Sequence, residues 1–120
     1  ESLGTQTGTL VGKRRVASEG DPVGFVTFGP YAHLHAGHYQ LSVSYTLEDN
    51  REAGLSFWEV TADHGHFALF TDKFLNSDGK EALASTQLVL ESNVANLELR
   101  TFYGGQGSLS IGTVKIERLN

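Results

Sequence analysis

The sequence predicts an all-β fold, a sandwich or barrel of antiparallel strands. Three observations carry this. From Gly37 on, Tyr39, Leu41, Val43, Tyr45 and Leu47 alternate with His38, Gln40, Ser42, Ser44 and Thr46, a period of two with one apolar and one polar face. Short apolar runs are separated throughout by Gly, Asn, Asp and Ser clusters at intervals of roughly ten residues. No segment keeps the 3.6-residue period of a helix over several turns.

In chain order, Ser2 to Val11 is rich in Thr and Gly and reads, within residues 1–12, as an edge strand or arm. Lys13-Arg14-Arg15 is a short basic cluster on the next segment; charges there suit an edge strand that discourages aggregation better than a phosphate site. Glu19-Gly20-Asp21-Pro22 has turn chemistry, and Val23 to Phe28 is a short apolar strand. Gly29-Pro30 is expected to break that strand and start a turn, with Gly37 as a second break before the long alternating strand. Glu48 to Gly54 reads as a charged hairpin loop. Leu55 to Asp63 is a strand with Ser56, Trp58, Val60 and Ala62 on one face and Leu55, Phe57, Glu59, Thr61 and Asp63 on the other. Both faces carry apolar residues, but Trp58, by parity with Val60 and Ala62, is placed in the core. A tight turn at His64-Gly65 returns the chain through His66 to Thr71 as a hairpin.

Asn76-Ser77-Asp78-Gly79-Lys80 is a turn by composition. It partly looks like a calcium loop, but the regular acidic spacing of an EF-hand is missing, so no cofactor is expected there. Thr86, Leu88 and Leu90 alternate in the next strand, with Leu88 and Leu90 expected in the core, and Ser92-Asn93 turns the chain. Asn96 to Tyr103 places Leu97 and Leu99 inward and Glu98, Arg100 and Phe102 outward. After Gly104-Gly105-Gln106-Gly107, the last strand needs Leu109 and Ile111 inward on one parity and Val114 and Ile116 inward on the other. A β-bulge at Gly112-Thr113 reconciles them.

A chain of 120 residues is one domain. Its formal net charge of -5, with no long basic run, argues against a nucleic-acid partner. No apolar run approaches membrane-spanning length, so no membrane insertion is expected. With no cysteine, disulfides and thiolate metal sites are excluded. Methionine is absent even at position 1, which suggests a domain cut from a larger protein.

The residues of this chain bear on three kinds of chemistry. His33, His35 and His38 lie around Gly37, and His64 and His66 flank Gly65. His-x-His on a strand points two imidazoles to one side, as a metal-dependent barrel enzyme of the cupin type uses them. His33 and His35 would be that pair, but no glutamate follows at a useful distance and solvated loop histidines are the simpler reading. Nucleophilic catalysis lacks a Gly-x-Ser-x-Gly elbow, and the glycines at 104–107 lie between strands, not before a phosphate-binding helix. A sugar site is the third. Aromatic rings stack on the C–H faces of pyranoses, and planar carboxylates and guanidinium groups bond hydroxyls. Glu98, Arg100 and Phe102 share one polar face; Phe57 and Glu59 are expected beside them, together with His38 and Gln40, and Tyr31 at the rim. The plain alternative is a Glu–Arg pair on a solvated sheet.

Phe28-Gly29-Pro30-Tyr31, then Leu34, Gly37 and Tyr39 leading into an alternating strand, resembles a β-sandwich domain attached to bacterial glycosyltransferases and transporters of cell-surface polysaccharide synthesis. Trp58-Glu59-Val60 fits it, as does Leu97-Glu98-Leu99-Arg100 followed by a glycine turn and a closing strand. The likeness covers roughly residues 23–118. His35 departs from the proline of a Leu-Pro-x-Gly-x-Tyr run. Such domains look like carbohydrate-binding modules of jelly-roll form. The resemblance implies a two-sheet antiparallel β-sandwich, jelly-roll-like, of roughly eight strands. It also implies glycan binding without catalysis, contact with other domains of a parent protein, and a place in or near the cell envelope. A third possibility is a structural or interaction domain of a multidomain enzyme.

Overall fold

A computed structural model describes residues 8–11, 14–48, 55–62 and 67–119, with the backbone alone for residues 9–11 and 28–32. The described chain forms nine strands and no helix: β1 (Thr9–Val11), β2 (Arg14–Ala17), β3 (Gly24–Leu34), β4 (Gly37–Glu48), β5 (Phe57–Ala62), β6 (Phe67–Lys73), β7 (Ala82–Leu90), β8 (Val94–Tyr103) and β9 (Ser108–Arg118). They build two antiparallel sheets, a five-stranded one in the order β1-β2-β9-β4-β7 and a four-stranded one in the order β3-β8-β5-β6. β5 pairs with β6, β4 with β7, β3 with β8 and β2 with β9. The chain therefore folds back on itself about the β5–β6 connection and wraps the doubled ribbon into two layers. That is the jelly-roll topology.

Strand alternation accounts for the core. Tyr39, Leu41, Val43, Tyr45 and Leu47 of β4 face Trp58 and Val60 of β5, Leu97, Leu99 and Tyr103 of β8, and Leu109 and Ile111 of β9, all within one buried cluster. Trp58 is 1% exposed, so the inward parity of β5 is Trp58, Val60 and Ala62. Leu88, expected in the core, is only partly buried against it, because β7 is the last strand of its sheet.

The parity change in β9 is a bulge at the expected place. Val43 pairs with Val114 and Tyr45 with Ile111, so β9 spends one residue more than β4 across this step. The Thr113 N–H donates to Ser44 Oγ at 2.7 Å, which ties the bulge to its partner strand.

Several expectations need correction. Gly29-Pro30 does not end a strand. β3 runs through it to Leu34 and absorbs the irregularity as register shifts against β8 between Gly29 and Ala32 and between Ala32 and Leu34. Proline lacks a backbone donor, and a bulge is one of the few sheet positions where that is tolerated. Arg14 and Arg15 lie on β2, which β1 covers, so they are not on an edge strand. Lys13 lies outside the described residues. The segment after Glu48 joins the two sheets and is not a hairpin loop, since β4 and β5 belong to different sheets; residues 49–54 themselves lie outside the described residues, as do His64-Gly65 and His66. The Asn76–Lys80 turn is present, with Asp78 at φ 54° and Gly79 at φ 74°.

Candidate functional site

The solvent side of the four-stranded sheet gathers most of the residues singled out above. β8 and β5 are paired in register, with Phe57 opposite Phe102, Glu59 opposite Arg100 and Thr61 opposite Glu98. Because Leu97, Leu99, Trp58 and Val60 are buried, period-two alternation turns all six of those side chains to the other face.

Two groups form on this face. The first is a row of rings. Phe57 stacks on Phe102 with centroids 4.7 Å apart and planes at 20°, and Phe25 of β3 meets the other side of Phe102 edge-on at 5.3 Å and 77°. The second is a charge cluster. Arg100 donates through Nε to Glu59 Oε2 at 2.7 Å and through Nη2 to the same oxygen. Its Nε is 3.6 Å from Glu98 Oε1, and its guanidinium carbon sits 4.6 Å above the Phe25 ring. One cation thus faces two carboxylates and one aromatic ring, and the rings and charges form one continuous surface.

The cluster is more enclosed than a solvated Glu–Arg pair. The side chains of Arg100, Glu59 and Glu98 are 23%, 15% and 6% exposed. Glu98 lies beside the bulged stretch of β3 between Gly29 and Ala32 and across from Thr61, whose buried Oγ1 has no hydrogen-bond partner among the described residues. Arg100 is consequently oriented by its neighbours rather than free to sample rotamers, which lowers the entropy lost on engaging a ligand.

The structure does not bring His38 and Gln40 to this face. They project from β4 on the solvent side of the other sheet, where His38 Nε2 lies 3.2 Å from Gln87 Oε1 of β7. β4 and β8 sit in opposite layers, so their outward faces point apart. Tyr31 belongs to the irregular part of β3, and its side chain lies outside the described residues. Phe25 escaped sequence reading. Its only signal was parity with Phe102, which requires knowing that β3 pairs with β8.

A second concavity lies at the end of the sandwich, a groove of about 240 Å³ lined by His33, Leu34, His35, Asn93, Val94 and Ala95. His33 is the exposed penultimate residue of β3 rather than a loop residue, and its Nδ1 accepts the Asn96 N–H at 3.4 Å. Asn96 has φ 54°, a conformation asparagine tolerates, at the register shift between β3 and β8. Among the described residues no group of three His, Cys, Asp or Glu side chains could hold a metal ion, so His33 and His35 have no third ligand there. No helix of the described residues is long and apolar enough to cross a membrane.

No protein-family model and no curated protein matches the chain. Solved structures do. One, described as CBM4 structure and function, superposes with a TM-score of 0.66 at 10% identity, covering 98% of this chain and 91% of that one. Another, a carbohydrate binding module (CBM6cm-2) from Cellvibrio mixtus lichenase 5A in complex with cellotriose, gives a TM-score of 0.57 at 12% identity, covering 98% and 88%. At these identities the likeness is one of fold, over essentially the whole length of both chains.

Proposed function

We propose that this chain is a non-catalytic carbohydrate-binding module whose glycan lies on the solvent face of the β3-β8-β5-β6 sheet. The observation that carries the reading is the junction of the Phe25–Phe102–Phe57 row with the Arg100–Glu59–Glu98 cluster. The rings are packed on one another, so their edges offer an apolar strip to the C–H groups of a pyranose, and fixed planar charges suit its hydroxyls. The jelly-roll fold shared with two carbohydrate-binding modules supports the same reading. We place the ligand among bacterial cell-surface polysaccharides and the module outside the cytoplasm, joined to other domains of a larger protein. Neither a metal nor another cofactor enters the binding.

The test is a glycan array followed by calorimetric titration of the best ligand. Phe102→Ala and Arg100→Ala, each checked for retained folding, should weaken binding at least tenfold, since a charged hydrogen bond contributes about 1.5–3 kcal/mol and burial of an aromatic side chain a similar amount. His38→Ala, on the opposite sheet, should leave it unchanged. Full binding by both face variants, with loss in His38→Ala, would move the site to the other layer. Silence across bacterial polysaccharides would leave a structural or interaction domain.

A further inference from the structure

β7 ends the five-stranded sheet. One of its edges pairs with β4; among the described residues no strand pairs with the other. Such an edge offers a row of backbone donors and acceptors to any strand that approaches, and edge strands ordinarily carry charge or proline that discourages this. Of the two edges of the other sheet, β6 ends in Asp72 and Lys73 and β3 contains Pro30. β7 reads Ala82-Leu83-Ala84-Ser85-Thr86-Gln87-Leu88-Val89-Leu90, nine residues with neither charge nor proline. Two of its outward side chains are large, apolar and well exposed, Leu83 at 65% and Val89 at 69%.

The order of these residues is nearly symmetric about Thr86. Ser85 and Gln87 flank it, then Ala84 and Leu88, then Leu83 and Val89, then Ala82 and Leu90. Two copies of a strand related by a two-fold axis pair antiparallel, and each residue faces the one equally far from the centre on the other side. With the axis at Thr86, Leu83 of each copy lies beside Val89 of the other, Ser85 beside Gln87 and Ala84 beside Leu88. Moving the axis one residue, to Ser85 or Gln87, sets Val89 or Leu83 against a glutamate instead, Glu81 or Glu91. We infer that β7 is a self-association edge, and that two copies of this chain join across it in that register, merging their five-stranded sheets into one.

Two consequences follow from the geometry. The two-fold axis is perpendicular to the merged sheet, so both four-stranded sheets stay on the same side of it and both candidate glycan faces point the same way. A dimer could then grip one polysaccharide surface at two places. At the ends of the paired strands Glu81 meets Glu91 of the other copy. Glu81 is partly neutralised by Arg14, 3.1 Å away. The remaining repulsion makes association stronger at high salt. A single strand edge buries less than a standard interface, so the dimer is reversible and concentration-dependent.

The experiment is sedimentation equilibrium of the intact chain from about 10 µM to about 1 mM, where weak interfaces associate. The apparent mass should climb from the 13.0 kDa of one chain toward twice that value, more steeply at higher salt. Leu83→Lys, at an exposed position and with an unchanged melting temperature, should hold the protein monomeric. Leu83→Lys combined with Val89→Glu should restore the dimer, because each new lysine faces a new glutamate, whereas Leu83→Glu with Val89→Glu should not. A wild type that stays monomeric throughout overturns the inference. So does a dimer indifferent to Leu83→Lys, or a failure of the opposite-charge pair to rescue it.

Discussion

Gly112 is a glycine for clearance, and replacing it with alanine measures what the β9 bulge contributes. Its φ lies outside the left-handed region, so the backbone itself accepts a side chain. Space does not: a Cβ would sit 2.6 Å from Ser44 Oγ and 2.8 Å from Arg14 Nη1. Both are ends of side chains and can move, but each is engaged. Ser44 Oγ accepts the Thr113 N–H at 2.7 Å. Arg14 donates to Ser110 Oγ at 2.6 Å and Ser110 O at 3.2 Å, and pairs with Glu81. Losing the Ser44 bond costs about 1 kcal/mol, and disturbing the Arg14 bonds about 1–2 kcal/mol more. The Arg14–Glu81 pair is too exposed, at 33% and 55%, to add much. Alanine recovers about 0.5 kcal/mol by restricting the unfolded chain. The net loss is about 2 kcal/mol, a fall of about 8 °C in melting temperature for a domain of this size. Urea denaturation of wild type and Gly112→Ala gives the difference, and the same pair in an Arg14→Ala/Ser44→Ala background tests its cause. With both neighbours gone, alanine should be neutral or slightly stabilising. An undiminished cost in that background would refute the clearance argument.

Gly104→Ala should be worse than Gly112→Ala, costing about 3 kcal/mol or more, because its Cβ would lie 2.3 Å from Leu55 Cβ and 2.6 Å from the Leu55 backbone oxygen, which cannot swing away; equal melting temperatures would contradict this. Thr61→Val removes a buried hydroxyl without a partner among the described residues, so stability should hold or rise by about 1 kcal/mol, and a loss of similar size would mean that the hydroxyl is bonded. Burial pushes the Tyr45 phenol above its usual range, with Asp72 adding to the rise. The folded state therefore holds this proton more tightly than the unfolded chain. That contribution is whole below about pH 10 and is lost as pH rises further. Tyr45→Phe should be less stable by about 1 kcal/mol at pH 8, with a deficit that shrinks above about pH 10; parallel stability curves would exclude the effect. A chelator should leave the melting temperature unchanged, and a fall restored by calcium would place an ion in the Asn76–Lys80 turn.

The local pattern of this chain determined a good deal by itself. Alternation in β4 and β8 told which side of each strand is buried, because successive Cβ atoms point to opposite faces whatever the strand pairs with. The clash of parity between Leu109 and Val114 located a bulge, because one extra residue is the smallest change that buries both pairs. Glu98, Arg100 and Phe102 were forced outward by Leu97 and Leu99 on the same argument. What the pattern could not carry was which strands lie side by side. Phe25 and Phe102 are far apart in sequence yet touch, and His38 and Gln40, equally outward, belong to the opposite layer. Gly29-Pro30 read as a turn by its residue types, but pairing with β8 keeps it within β3 as a bulge. Even Glu98, outward by parity, is only 6% exposed and lies 3.6 Å from Arg100. Facing is set by each residue's own backbone; neighbourhood is set by long-range pairing, and only the folded sandwich decides it.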